Sequence, residues 1–408
     1  MTSTIIITLC VLLLIAYVFD LTSSKTKIPS VILLLLLGWI VRQLTGVFHI
    51  SIPDLTSLLP VFGTVGLILI VLEGSLELEL NRSKISVIKK SFVVALLPML
   101  AFAFLLAYVF QYFQYGLSLR DALTNAVPLC IISSSIAIPS AKYLSSYNKE
   151  FITYESSLSD IFGVVFFNFV ALNELNQSHT IWESGLQLLI MIVISFVATL
   201  LLALLMSKID HHIKFVPIVL LILLIYAIAK LFHLPSLIFI LILGLFLGNL
   251  DELKRFKWIN RLKPDELNTE VHKFGELITE ATFLVKTVFF LLFGYLIETK
   301  EVLNTDTLIW AVGIIGVALL IRYIQFNLSG IAMFPMLFII PRGLINVLLF
   351  LSIVPAQNIP LVNKSLILQV ILLSAVIMMI GLIATGKKEE LLKEKEEIIK
   401  ADETNTIK

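Results

Sequence analysis

Charge is scarce in this chain of 408 residues: Asp, Glu, Lys and Arg make up 14% of it, against 58% hydrophobic residues. That is too little polar surface to cover a water-soluble globule of this length, and the mean hydropathy of +1.00 agrees. The formal net charge of +1 carries no electrostatic footprint for nucleic acid. The two cysteines, Cys10 and Cys130, fall inside apolar runs with no partner at metal-ligand spacing, so they read as core residues. The six histidines fall in loops or at the ends of apolar runs, and none is placed to shuttle protons deep inside one. No His-Glu-x-x-His, no Gly-x-Ser-x-Gly and no pair of aspartates in facing apolar runs is present, which leaves an intramembrane enzyme without its machinery.

Long apolar runs are what the chain does have. A hydrocarbon core about 30 Å thick needs roughly 20 apolar residues per helix. On that measure thirteen spans are expected: 5–20, 28–43, 58–76, 91–113, 121–144, 151–172, 185–207, 215–231, 236–250, 276–298, 308–326, 335–354 and 365–385. The first lacks a basic n-region and a small-residue cleavage site, so it reads as a span and not as a signal peptide. With the N-terminus outside, the inner loops and helix ends hold sixteen Lys and Arg: Lys25, Lys27, Arg82, Lys84, Lys89, Lys90, Lys142, Lys149, Lys208, Lys214, Lys254, Arg255, Lys257, Arg261, Lys263 and Lys273. The outer side holds five, Arg42, Arg120, Lys230, Lys300 and Lys364. Basic residues accumulate on the cytoplasmic side of short loops, and that bias sets the orientation. The expected class is an all-α polytopic membrane protein, with a transmembrane domain over 1–385 and a charged cytoplasmic tail over 386–408 that reads as a short solvated helix.

Two of these spans make poor simple helices. In the fifth, Pro128 and Pro139 flank Ser133, Ser134 and Ser135, so the backbone loses donors in mid-span while hydroxyls offer substitutes. In the twelfth, Pro335 and Pro341 precede Arg342 and Gly343. The two interrupted spans hold the same position in two six-span halves, about 5–172 and 215–385, and the odd seventh span between them inverts one half against the other. Paired broken helices in inverted halves point to a binding site at the membrane midplane, where they cross.

The sixth span carries the strongest anomaly. Glu155-Ser156-Ser157-Leu158-Ser159-Asp160 interrupts an apolar run, and holding a charge in mid-membrane costs at least ~2.5 kcal/mol even on the mildest insertion scale. Helical geometry puts Ser156 and Asp160 on one face and Glu155 and Ser159 on the face beside it. Asp160, roughly 14 Å from the inner end by a 1.5 Å rise per residue, is close to the midplane and is assigned the carrier role. Glu155 is shallower and is expected to pair with Arg322 or Arg342. Glu73 lies late in the third span, where the bland reading is a solvated helix end; Lys286 stands in the tenth, either as a charge at the crossing or as a structural partner of a carboxylate. Glu280 is expected on a wet inner surface.

These residues resemble a known family, the monovalent cation:proton antiporters that include the sodium/hydrogen exchangers. Glu155 to Asp160 is similar to the family's Glu-x-x-x-Asn-Asp helix, Leu72-Glu73-Gly74-Ser75-Leu76 to its Phe-Glu-Gly-Gly-Leu segment, and Pro341-Arg342-Gly343 to the Arg-Gly of its second broken helix; Phe289-Phe290-Leu291-Leu292-Phe293-Gly294 also matches. The resemblance runs over about residues 5–385. It implies that Asp160 binds cation and proton in turn, with Ser156, Ser159 and Glu73 near the ion, and that an arginine of the second half holds Glu155. It implies a dimerising domain, a core domain that moves past it with the ion, a homodimer in the cell (inner) membrane, and no cofactor besides the transported Na+, K+ or Li+ and H+.

Two positions depart from the family pattern. Ala137-Ile138-Pro139 stands where the family has Thr-Asp-Pro, and Ser159-Asp160 where it has Asn-Asp. Ser133, Ser134 or Ser135 is a candidate to replace the missing carboxylate, and one carrier carboxylate on the sixth span implies 1:1 electroneutral exchange. A cation channel or uniporter would also use broken helices, though with a continuous polar stripe or carbonyl filter and usually a large gating domain. A non-transporting ion or pH sensor on the same fold is the other alternative, because of Ile138.

Overall fold

The structure, a computed structural model, describes residues 2–26, 28–48, 55, 58–78, 84–141, 144–172, 178–208, 215–232, 236–254 and 264–406. Lys27, Arg82, Lys142, Lys214, Arg255, Lys257, Arg261 and Lys263 of the orientation argument lie outside the described residues, as do His49, His211, His212 and His233.

The described chain is helical throughout. Helices α1 (Thr2–Thr26), α2 (Ser30–Val47), α3 (Leu58–Glu77) and α4 (Ile85–Phe113) come first. The fifth expected span is two pieces, α5 (Leu119–Cys130) and α6 (Ser134–Ser140), followed by α7 (Ser146–Leu172) and α8 (Ser178–Lys208). Then come α9 (Phe215–Leu231), α10 (Leu237–Gly248), the single turn α11 (Leu250–Leu253) and α12 (Pro264–Tyr295). After the turn α13 (Thr299–Val302) and α14 (Thr305–Ser329), the twelfth expected span is a 3₁₀ turn at Met336–Phe338, an extended stretch, and α15 (Leu344–Leu351). The last span does not stop at residue 385: α16 (Lys364–Thr406) runs on through the tail as one helix.

Among the described residues, eight helices are long and apolar enough to cross a membrane, and Ile7–Thr22, Phe215–Leu231 and Leu237–Gly248 are shorter apolar helices. Two of the thirteen expected crossings therefore fall outside a measure of length and apolarity. α7 is long enough but carries Glu155, Asp160 and its serines, and α15 is only eight residues. Both are parts of the site, where polar and broken backbone is tolerated because protein encloses it.

The helices pack as two sets. α3 lies against α10 and α12, and α12 against α2; α4 lies against α5 and α7, and α14 against α16. Between helices in lipid there is little hydrophobic drive, so association relies on close van der Waals approach at small residues. Gly38 on α2 and Gly294 on α12 supply it: a Cβ on Gly38 would sit 2.7 Å from the Tyr295 amide nitrogen, and one on Gly294 would run into the Leu35 backbone. The two sets meet where α15 and α7 touch α3, which is where the polar residues collect.

Candidate functional site

The crossing is best understood by asking where each backbone hydrogen bond goes, since a buried amide or carbonyl without a partner costs several kcal/mol in a nonpolar interior. In an unbroken helix the amides of Ile132, Ser133 and Ser134 would bond the carbonyls of Pro128, Leu129 and Cys130. Here the Ile132 amide donates to Ser159 Oγ at 3.0 Å, the Ser133 amide to the Pro341 carbonyl at 2.9 Å, and the Ser134 amide to Asp160 Oδ2 at 3.0 Å. The orphaned carbonyls are taken up in turn. Asn346 Nδ2 donates to Pro128 at 2.6 Å and to Ile131 at 3.0 Å, and Arg342 Nε donates to Leu129 at 2.8 Å. The second broken segment therefore closes the first one's carbonyl end, while α7, together with the Pro341 carbonyl, closes its amide end.

Charge follows the same logic. Helix C-termini attract cations and N-termini attract anions. The Arg342 guanidinium sits at the carbonyl end of α5, and the Asp160 carboxylate sits at the amide end of α6. Gly343 lets the two breaks approach, since a Cβ there would lie 2.6 Å from Ser133 Oγ. Its amide donates to Asn346 Oδ1 at 2.6 Å, and the Arg342 amide donates to Ser374 Oγ at 2.9 Å.

The two carboxylates of α7 have different surroundings. Glu155, 1% exposed, is gripped by both terminal nitrogens of Arg322, one at 2.8 Å, and Arg322 Nε donates to the Met336 carbonyl at 2.9 Å while its guanidinium lies 4.5 Å from the Phe326 ring centre. Of the two arginines left open by the sequence, Arg322 is thus the partner; Arg342 is not part of the ion pair, because the backbone carbonyls of the break already occupy it. Asp160, 3% exposed, accepts from the amide and the hydroxyl of Ser134 through Oδ2 alone, and its Oδ1 is buried without a hydrogen-bond partner. No salt bridge reaches it among the described residues.

A cavity of about 240 Å³ opens beside this carboxylate. Ser134, Ser135, Ile138 and Pro139 of α6 form one wall; Glu73 and Glu77 of α3, Thr279, Thr282 and Lys286 of α12, and Asp20 of α1 form the others. Asp160 stands behind that wall, one hydrogen bond away through Ser134. Glu73 is in electrostatic reach of Lys286, with the hydroxyls of Thr279 and Thr282 alongside, but the two close no ion pair. Glu280 is exposed.

Of the three serines proposed to replace the missing carboxylate, Ser134 is the one that touches Asp160; Ser133 and Ser135 bond each other at 2.9 Å. Ala137 is fully buried in the core. Ser159 serves the Ile132 amide, and the Ser156 hydroxyl donates to the Ile152 carbonyl of its own helix at 2.7 Å. The residue that sequence reasoning missed is Asn346, whose amide serves both breaks; an asparagine in a short apolar stretch gave no signal beyond its polarity. Thr279, Thr282 and Asp20 were missed as well, because only packing decides whether a polar residue of a helix faces a cavity. Among the described residues no three His, Cys, Asp or Glu gather as a metal-ligand set, so a cation here would rest on Asp160 with hydroxyl and carbonyl oxygens.

Comparison with known proteins places the fold and the family. No curated protein sequence matches the chain. Two structures of the sodium proton antiporter MjNhaP1 from Methanocaldococcus jannaschii, one at pH 8 and one from an electron microscopy map, share its fold. The first is 18% identical with a TM-score of 0.67 over 95% of this chain and 99% of that one, and the second is 18% identical with a TM-score of 0.66 over 97% and 98%. The profile of the sodium/hydrogen exchanger transmembrane region matches residues 10–388, nearly the whole chain. The chain is a multi-pass membrane transporter, not an enzyme, and belongs to the sodium/hydrogen exchanger family.

Proposed function

We propose that this chain exchanges a monovalent cation, Na+, for H+ by alternating access, with Asp160 as the site the two ions share. The observation that carries the reading is the half-satisfied carboxylate: Oδ2 is held by Ser134, Oδ1 has no partner, and a cavity begins on the far side of Ser134. A bare carboxylate shielded from water is unfavourable, so a proton and a hard monovalent cation become competitors for the same oxygen. Oδ1 takes either one. Ser156 stands one turn before Asp160 on the same face, and the hydroxyl that donates its proton to Ile152 keeps its lone pairs for a cation. Glu73 and its neighbours draw cations into the cavity.

In this reading the set containing α4–α7 and α14–α16 is the moving core, and the set containing α2, α3, α10 and α12 is the stationary, dimerising one. The N-terminus lies outside, so the cavity at the Glu77 end faces the cytoplasm of a cell whose inner membrane holds the homodimer. Neutralisation of Asp160 by H+ or by cation is the condition for core movement, and with Glu155 tied to Arg322 one carboxylate changes partner per cycle, which gives 1:1 electroneutral exchange. The test is cation-induced dequenching of a pH dye in everted vesicles. Na+-dependent proton movement that is lost in Asp160→Asn supports the assignment, and full activity of that variant moves the carrier role to Glu73. An imposed membrane potential that drives flux at equal ion gradients would overturn the stoichiometry.

A further inference from the structure

A second, larger cavity of about 660 Å³ lies at the other end of α3, lined by Pro60, Thr64 and Leu67 of that helix where the first is lined by Ile70, Glu73 and Glu77. Leu348 and Phe167 stand in its wall. The two chambers have opposite charge. The one beside Asp160 carries Asp20, Glu73 and Glu77 against the single cation Lys286; the other carries Arg120 and Lys230 and no carboxylate at all among its lining residues. A chamber of this size is in the range of small-molecule sites, and its remaining polar lining is neutral, including Tyr226, Asn168, Ser236 and Gln357.

Arg120 is the informative residue. One of its terminal nitrogens donates to the Ala171 carbonyl at 2.7 Å, at the last turn of α7, a carbonyl that also accepts from Gln357 Nε2 at 3.1 Å. Its Nε is buried and has no hydrogen-bond partner, and no carboxylate pairs with it or with Lys230 among the described residues. Arg120 as a whole is half-buried at the chamber wall, and a cation with one buried N–H unspent and no counter-charge leaves positive charge for an anion to meet. Its planar fork suits an oxyanion. The two cations come from different helix sets: Arg120 stands on α5, which packs against α4 and α7, and Lys230 on α9, which packs against α10 of the other set.

We propose that this chamber is an anion site that takes a phosphate-type oxyanion, held by Arg120 from one helix set and Lys230 from the other. An anion seated there bridges the two sets and favours the conformation described here, in which Asp160 neighbours the opposite chamber. A free phosphate and a phospholipid headgroup offer the same chemistry. The proposal does not depend on which ion Asp160 carries.

The test uses the full-length purified protein and reads thermal stability. One arm titrates inorganic phosphate against chloride at constant ionic strength; the other adds phosphatidylglycerol, with phosphatidylcholine as the neutral control. The variants are Arg120→Gln, which keeps a donor for the Ala171 carbonyl, and Lys230→Gln, whose side chain is exposed, so that folding is preserved in at least one of them. Stabilisation by phosphate that weakens about tenfold in apparent affinity in either variant supports a solute oxyanion. Stabilisation by phosphatidylglycerol alone, weakened by the same variants, supports a headgroup. No stabilisation in either arm, or stabilisation that both variants leave unchanged, overturns the site.

Discussion

Glu155 and Asp160 stand on the same helix, five residues apart, and both are almost wholly buried, yet their surroundings treat them oppositely. Both oxygens of Glu155 are engaged by one arginine whose remaining Nε–H is also used, so the unit is closed. Asp160 has one oxygen engaged, by two neutral donors of the same serine, and one left over. Burial by itself therefore does not leave a carboxylate with an open oxygen. What differs is whether a fixed positive charge has already met its demand. A fixed counter-charge closes Glu155 within the helix set, while Asp160 has none among the described residues, and in the exchange proposed above a mobile ion supplies it.

The largest effect expected from breaking this contrast is on transport. Asp160→Asn preserves shape and can still accept from Ser134, so stability should stay within about 1 kcal/mol, while cation-dependent proton movement should fall to background in everted vesicles. A variant that unfolds instead would make Asp160 structural. Glu155→Gln should do the reverse. Removing one member of a buried pair strands the other and costs about 3–5 kcal/mol, visible as a large drop in thermal midpoint. Replacing both partners, Glu155→Leu with Arg322→Met, should recover most of that loss. If the double variant is stable and still transports, the pair is pure scaffold; if it is stable and silent, Arg322 has a part in transport that its contacts do not reveal.

How much of this contrast could be read from the sequence depends on the residue. Glu155 and Asp160 were legible because charge inside an apolar run is costly and therefore conspicuous, and the two breaks were legible because proline cannot donate to a helix. The choice between Arg322 and Arg342 was not legible. Both lie in the second half of the chain, and only the packing of α14 beside α7, together with the carbonyls freed when α5 stops at Cys130, decides which guanidinium meets Glu155. Asn346 escaped for the same reason: its role exists only because two breaks lie against each other. The apolar spans of 215–231 and 236–250 fell within a few residues of α9 and α10, since continuous apolarity has one solution in a bilayer. The end of the last span did not: charge marks where lipid stops, not where hydrogen bonding stops, and α16 continues to Thr406.

A smaller effect is expected from Ser134→Ala. The serine gives Asp160 Oδ2 a hydroxyl proton in addition to its amide, and its loss removes a donor that favours the charged carboxylate. Hydrogen bonds to charged groups contribute about 1.5–3 kcal/mol, so the apparent cation affinity should fall about tenfold at fixed pH. Ser135→Ala, which removes only the contact to Ser133, is the control and should leave affinity within about twofold. Equal losses in the two variants would mean that the serines act through the shape of the break and not through Asp160.

The smallest effect sharpens the comparison most, because it concerns a residue whose visible bond is a local one. The Ser156 proton goes to Ile152 at 2.7 Å, a back-bond within α7 that holds the side chain in place. If that were its only role, Ser156→Ala would change neither stability nor transport by more than a few tenths of a kcal/mol. As a cation ligand, however, it contributes through lone pairs that the back-bond leaves free, and one neutral oxygen among several ligands should raise the apparent KM for Na+ about threefold while leaving the maximal rate unchanged. A cation binds lone pairs and a proton on Asp160 does not need them, so the variant should shift cation dependence without shifting proton dependence at low cation concentration. Parallel shifts in both would place Ser156 with Glu155, as part of the scaffold, and would leave Asp160 to hold its cation with oxygens from the broken segments alone.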